Sequence, residues 1–288
     1  MKPAPFDYHA PKNLAEATAL LASLANAKLL AGGQSLVPMM NFRYVIVDHL
    51  VDLGGVAGLA GIAVVGGVLR IGAVTRQRDL EFSPEVAQHC PLLREALQYV
   101  GHRQTRNRGT IGGSLVHADP AAELPAVCAA HDAVITIASK RGTRRLAVRE
   151  LPAGFMATSL TADEIVTAVE IPLWPAGHGY GFQEFARRHG DFAIVGAAAL
   201  LDLAGGVVRR ASLPLCGAAA APVRLSAAER ALAGHRLDAT LVRSAAAAAG
   251  AIEAISDVHA SGEYRRHLAE VLTVRALAQA ARRAGVSL

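Results

Sequence analysis

The chain has 288 residues, 29 Lys+Arg against 24 Asp+Glu, and a net charge of +5. At that length one core buries roughly 75% of the unfolded surface, and two or three domains fit equally well. Few aromatics and abundant alanine point away from a large β-sandwich and towards close-packed helices. Arginine is spread along the whole chain, with no basic arm, zinc-finger spacing or RNA-binding aromatic motif, so the charge reads as a solvated surface and no nucleic-acid partner is expected.

Taken in chain order, "KNLAEATALLASLANA" has the pattern of an amphipathic helix with Asn13 as its N-cap. "KLLA" is a buried strand that runs into Gly32-Gly33. "SLVPMMNF" predicts a short helix with Ser35 near its cap and Pro38 in its first turn. "YVIVDHLVDL" reads as strand and turn, and "GIAVVGGVLRIGA" as a hairpin turning at Gly66-Gly67. Helices follow at "TRQRDLEF" and "PLLREALQYVG". The stretch "RQTRNRGTIGGSLVHADPAAELPAVCAA" is expected to pass through a loop into another helix, and "AVITIAS", "RRLAVREL" and "EIVTAVEIP" are strands.

Pro172, Pro175 and Gly177 mark a composition break and the expected domain boundary. Beyond it lie the strand-like runs "YGFQEFARR", "FAIVGAAALLDL" and "VVRRASLPLCGA", the last two joined at Gly205-Gly206. From Ser226 the chain is helical. A three-stranded antiparallel sheet backed by helices is the economical assembly.

Cys90, Cys128 and Cys216 are far apart, with no CxxC pair. A tetrahedral zinc site needs about four ligands, so no metal site is assigned, and each cysteine reads as a small core residue of a reduced, cytoplasmic protein. The N-terminal "MKPAPFDYHAPKN" has no apolar signal region, and the run "FAIVGAAALL" is too short to cross a bilayer, so no integral membrane segment is expected.

Two segments share one pattern. "LLAGGQSLV" and "GTIGGSLV" each break an apolar stretch with Gly-Gly, and a serine, leucine and valine follow. Glycine lets a ligand approach the backbone closely, and consecutive N–H groups in such a loop form a concavity for phosphate. Two such loops could bracket a pyrophosphate, each N–H bond to a charged oxygen contributing roughly 1.5–3 kcal/mol. GxGxxG and GxxxxGK[ST] are absent at both places. In "HADPAAELP", Asp119 reads as an N-cap with Pro120 at N1, while Glu123 fits a helix start and a ribose ligand equally well. His117 reads as a polar loop residue rather than a covalent anchor. His102, Arg103, Arg106 and Arg108 form a basic cluster that fits either a pyrophosphate neighbour or an exposed face. No nucleophile–base–orienter set is visible.

Together, "AGGQSLVPMM", "RNRGTIGGSLVHADPAAELP" and the later "ARRHGDFAIVGAAA" resemble the FAD-binding medium subunit of the molybdenum hydroxylases, the family of carbon monoxide dehydrogenase and xanthine dehydrogenase. The resemblance spans nearly the whole chain. It implies an α+β fold: a two-subdomain FAD-binding domain of the vanillyl-alcohol-oxidase type over residues 1–175 (subdomains about 1–55 and 56–175), then a C-terminal domain of sheet and helices over 178–288.

The resemblance also implies an assembly, a dimer of heterotrimers. A large subunit carries a molybdopterin cofactor, a small one carries two [2Fe–2S] clusters, and electrons pass through FAD here to an external acceptor. Residue by residue, it implies flavin-side contacts from Ala31, Gly32, Gly33, Gln34, Ser35 and Leu36, and an opposing segment of Thr110, Ile111, Gly112, Gly113 and Ser114. Val100 and Gly101 lie near the adenine, Glu123 on the ribose, and Ile165 and Val166 by the isoalloxazine.

This chain departs from the pattern in two places. Gln183 stands where the xanthine dehydrogenase branch has a lysine, and Phe192 where some relatives have tyrosine. There is no cysteine-rich insertion. The substrate is chosen in the molybdenum subunit; the form of "FARRHGDFA" favours an N-heteroaromatic compound. A stand-alone flavin oxidase or reductase and a non-enzymatic scaffold are the other classes, distinguished by activity of the isolated chain or by lack of colour.

Overall fold

The computed structural model describes residues 1–288 and contains three main sheets. The first is parallel, in the order β1 (Asp7–His9), β3 (His49–Asp52), β2 (Ala27–Leu30). α1 (Leu14–Ser23) is the crossover between β1 and β2, and α2 (Leu36–Asn41) follows β2. Asn13 caps α1 as expected, its side chain accepting from the Glu16 N–H. Ser35 does not cap α2: its backbone is already helical and its side chain makes no cap bond.

The second sheet is antiparallel: β4 (Ile62–Val65), β5 (Val68–Gly72), β10 (Ile165–Pro172), β6 (Val134–Ser139), β7 (Gly142–Ala147). Six helices lie in the excursion between β5 and β6: α3 (Gln77–Phe82), α4 (Pro84–His89), α5 (Pro91–Ala96), α6 (Arg103–Arg108), α7 (Ile111–His117) and α8 (Glu123–Ala130). A small hairpin, β8 (Pro152–Gly154) with β9 (Ala157–Thr158), precedes β10. The β4–β5 turn is the expected one, Gly66 and Gly67 both at positive φ.

The third sheet corrects the three-stranded expectation. β11 (Gly179–Phe185) pairs with β12 (Val195–Ala204), and the next partner is broken into β13 (Val207–Ser212) and β14 (Pro214–Cys216), each pairing with a different part of β12. β15 (Val223–Arg224) adds a short edge beyond β14. The helices α9 (Ser226–Leu232), α10 (Ala239–Ala246) and α11 (Gly262–Arg283) follow.

Alanine content has a concrete use here. A Cβ on Gly179 would sit 2.1 Å from the Ala280 carbonyl, and one on Gly181 2.4 Å from that of Ala276. β11 and α11 thus touch backbone to backbone, which only small residues permit.

The other face of this sheet joins the second sheet's helices in one core. Leu92, Leu93, Ile111, Leu124 and Ile137 cluster with Phe182, Leu200 and Cys216 from across the composition break. Each fully buried side chain of this size contributes about 1.5–3 kcal/mol. Polar bonds cross the same seam: the Gly217 N–H donates to the Pro120 carbonyl at 2.6 Å, and Arg224 to the Ala129 carbonyl at 2.7 Å. The three cysteines are free and buried, as their isolation suggested. No helix is long and apolar enough to cross a membrane.

Candidate functional site

The loop between β2 and α2 carries the first glycine pair. Gly33 holds φ at +72°, a conformation L side chains resist. Gly32 is excluded from bearing a Cβ for a different reason: one there would lie 2.3 Å from the Arg108 carbonyl oxygen and 2.8 Å from the Gly109 Cα. So the loop rests directly on the residues that lead into the second glycine pair. Backbone N–H groups from Ala31 through Leu36 have no acceptor anywhere in the protein. Of this run, Gly32, Gly33 and Gln34 line a cavity of about 320 Å³, bounded also by Leu30, Val37, Pro38, Asn41 and Arg108. Arg108 makes no ion pair, so an unpaired positive charge borders a run of free donors. The arrangement suits an anionic, phosphate-bearing ligand.

The second pair departs from the loop expectation. Ile111–His117 is the helix α7, capped by Thr110, whose hydroxyl accepts from the Gly113 N–H at 3.1 Å. Its N–H groups are spent: Ile111 on the Thr75 carbonyl, Gly112 on Ala73, Ser114 on Thr110. Gly112 is required because Ala73 lies against it: a Cβ there would stand 2.7 Å from both the Cβ and the carbonyl oxygen of Ala73. Arg76 reinforces the junction, donating to the Arg108 carbonyl at 2.5 Å. The second motif is therefore the floor beneath the first, with Gly113 facing Ala31. Ser114 is half-buried with its hydroxyl unengaged.

The other expected residues divide. Val100 and Gly101 are held by Arg106, which donates to both carbonyls at 3.1 Å while pairing with Glu81. Arg106 is thus a structural tie, and of the basic cluster Arg108 alone lines the cavity. His102 packs its ring against Gly190 in the loop after β11. Ile165 is fully buried among Ala17, Leu21, Leu53 and Val74, where the first two sheets meet; Val166 belongs to the larger core. Gln183 is not brought to the cavity, since its amide donates to Gln279 of α11 at 2.9 Å. His117 ends α7, about 10 Å along the helix from its cap.

Asp119 is not a helix N-cap. It closes a turn by accepting from Ala121, and α8 begins only at Glu123 with Ala122 at the cap. Glu123 is 7% exposed and its carboxylate bonds to no other side chain. Burial pushes it up to about 7. Phe192 is exposed and borders a second cavity of about 390 Å³ with Phe155, Arg187 and Arg265. Reading the residues by sequence missed Arg76 and the singular position of Arg108. Neither has a local signal, because each matters through a partner distant in the chain.

The glycine loop with its free N–H donors rests on the helix α7, and Glu123 begins the next helix, α8, on an α+β scaffold. Comparison with known proteins gives the class. Residues 4–174 match the family described as FAD binding domain in molybdopterin dehydrogenase, and residues 180–280 the CO dehydrogenase flavoprotein C-terminal domain. The chain belongs to this family of FAD-binding medium subunits of molybdenum hydroxylases, the flavoprotein components of oxidoreductases. It is 41% identical over 287 residues to the 6-hydroxypseudooxynicotine dehydrogenase complex subunit alpha of Paenarthrobacter nicotinovorans, covering 99% of this chain and 97% of that protein. It superposes on carbon monoxide dehydrogenase from Hydrogenophaga pseudoflava with a TM-score of 0.96 and 38% identity, covering 98% of this chain and 99% of that one. Against quinoline 2-oxidoreductase from Pseudomonas putida 86 the TM-score is 0.94 at 38% identity, with 99% of each chain covered.

Proposed function

We propose that this chain is the electron-transfer subunit of a cytoplasmic heterotrimeric molybdenum hydroxylase, holding FAD between two [2Fe–2S] clusters of a small subunit and an external acceptor. A large molybdopterin subunit performs the hydroxylation, and the complex is a dimer of heterotrimers acting on an N-heteroaromatic compound. The names of a pseudooxynicotine dehydrogenase subunit and a quinoline oxidoreductase among its relatives support that substrate class. The domain division proposed is 1–175, split near 55, and 178–288.

The observation that carries the reading is the unbroken run of unsatisfied N–H groups from Ala31 to Leu36 beside an unpaired Arg108. FAD supplies two-electron chemistry when bound, and the protein supplies its placement. Ala31, Gly32, Gly33, Gln34, Ser35 and Leu36 hold the pyrophosphate by backbone donation, while Arg108 offsets its charge. Thr110, Ile111, Gly112, Gly113 and Ser114 set the floor, with Ser114 free to donate a hydroxyl. Glu123 would accept from ribose hydroxyls and Val100 and Gly101 would border the adenine, while Ile165 and Val166, buried in the cores, would stand behind the ring rather than touch it. Gln183, whose side-chain amide donates to Gln279 of α11, is left out of the clamp.

The test is a visible spectrum of the purified chain before and after heat precipitation. Flavin bands that remain in the supernatant and are identified as FAD are expected. Bands that pellet would make His117 a covalent anchor. A colourless chain that takes up no FAD, even with its partner subunits, overturns the reading.

A further inference from the structure

Arginine is spread along the sequence, but its excess is not spread over the fold. Three segments without a single Asp or Glu, 31–47, 96–118 and 185–190, are brought together. The first touches the second where Gly32 rests on the Arg108 carbonyl and Gly109. The second touches the third where Gly101 and His102 pack against Gly190, the His102 ring lying 2.6 Å from where a Gly190 Cβ would stand. Across the same seam the Tyr99 and His189 rings meet edge-on at 6.4 Å. Of the chain's 29 Lys+Arg and 24 Asp+Glu, these segments hold six arginines (Arg43, Arg103, Arg106, Arg108, Arg187 and Arg188), no lysine and no acid, so the remaining residues carry 23 against 24. The positive excess of the chain therefore resides here.

Only Arg106 is neutralised, by Glu81. The other five are exposed and make no ion pair. Like charges gathered without a counter-charge repel one another, and a bound anionic surface relieves that repulsion. One pyrophosphate does not use them all. Arg108 borders the cavity at the glycine loop and Arg187 the second cavity, while Arg43, Arg103 and Arg188 border neither. Beside the arginines the surface is aromatic. α2 lines the first cavity with Val37, Pro38 and Asn41. The chain then turns, Arg43 at φ +61°, and leaves Phe42, Arg43 and Tyr44 exposed in succession, with Ile46 after them. The Phe42 and Tyr44 rings stack at 6.1 Å, and Tyr44 is 82% exposed. Exposed Tyr, Phe and Arg without Lys, Asp or Glu is the composition of a protein–protein interface.

We propose that this acid-free surface is where the iron–sulfur subunit docks, through a face whose exposed charges are carboxylates, resting on the heterotrimer reading above. Charge selects that subunit, because a [2Fe–2S] cluster held by cysteine thiolates is itself anionic. Position agrees: the aromatic turn follows directly from α2, which borders the glycine loop together with Arg108. Phe42 and Tyr44 supply the apolar centre of the contact, and the arginines steer the approach.

The experiment is surface plasmon resonance of the flavin-loaded full chain with the iron–sulfur subunit, from about 25 to 500 mM NaCl. The wild-type association rate is expected to fall at least about tenfold across that range. The triple variant Arg43→Glu, Arg103→Glu, Arg188→Glu is expected to associate about a hundredfold more slowly at low salt and to lose the salt dependence, with flavin content and Tm unchanged. The double variant Phe42→Ser, Tyr44→Ser is expected to keep the association rate and to dissociate about tenfold faster. Wild-type association that ignores salt, or an arginine variant that docks like wild type, overturns the proposal and leaves the FAD and heterotrimer readings intact. An arginine variant that loses flavin yet docks normally gives the patch to the cofactor and overturns it as well. So does tighter binding of a DNA duplex or of phosphatidylserine vesicles than of the subunit. No association of the wild type at any salt removes the docking and heterotrimer readings together, while flavin bands in the same sample report separately on FAD. The wild-type measurement stands even if a variant does not fold.

Discussion

The segments Gly-Gly-Gln-Ser-Leu-Val and Gly-Gly-Ser-Leu-Val share letters but not structure. Gly32-Gly33 opens a loop whose N–H groups have no acceptor; Gly112-Gly113 lies in the first turn of a helix whose N–H groups are all satisfied. In the first, one glycine permits a left-handed backbone and the other permits contact with Arg108. In the second, Gly112 is needed because Ala73 is already there, and Gly113 has only the Thr110 hydroxyl close by. A repeated motif therefore does not imply a repeated cradle. One copy presents donors and the other supports it.

If that division holds, the largest effect belongs where the two copies touch. Gly32→Ala puts a methyl 2.3 Å from a backbone oxygen that is itself held by Arg76. The loop must lift off the floor. A loss of about 3 kcal/mol in unfolding free energy is expected, together with loss of bound flavin; urea denaturation and the visible spectrum check both. A variant that keeps full flavin content and stability would show that the two segments are not packed as described.

The same contrast explains what could be anticipated from sequence. Local features were legible: the Asn13 cap, the Gly66-Gly67 turn and the Gly205-Gly206 turn, whose four glycines all adopt positive φ. Each depends on neighbours within a few residues. The helix at Ile111–His117 was not legible, because two glycines cost roughly 1 kcal/mol each relative to alanine in a helix, and the compensation comes from Ala73, remote in sequence. Asp119 followed by proline imitates a helix start, yet it closes a turn three residues early. Glu184 reads as an ordinary polar strand residue; only the fold buries its Oε2 without a partner. The glycines marked the loop, whereas its supply of free donors required knowing which N–H groups were already used.

A second variant isolates the left-handed backbone from the packing contact. At Gly33 a Cβ would meet only the tips of Leu30 and Val37, both at 3.1 Å, and those side chains can yield. What remains is the φ of +72°, so Gly33→Ala is expected to cost about 1–2 kcal/mol. Strain of this kind re-aims the free N–H groups, so flavin affinity should fall by about tenfold while the folded chain persists. Equal losses in Gly32→Ala and Gly33→Ala would mean that backbone conformation, not contact with Arg108, controls the loop.

The smallest effect is expected at Gly113. Alanine there meets no backbone; its close neighbour is the Thr110 hydroxyl at 2.7 Å, with the Ala31 methyl at an ordinary 3.7 Å. Displacing the hydroxyl sacrifices the cap, about 1 kcal/mol, while replacing glycine inside a helix returns about 0.5–1 kcal/mol. The two nearly cancel, so Gly113→Ala should unfold within about 0.5 kcal/mol of wild type. Thr110→Ala gives up the cap without that return and should lose the full amount. Because no free N–H lies at Gly113, flavin affinity in Gly113→Ala should change less than in Gly33→Ala. A greater loss of affinity at Gly113 than at Gly33 would mean that the second segment donates to the ligand directly, and the assignment of donor and floor would have to be reversed.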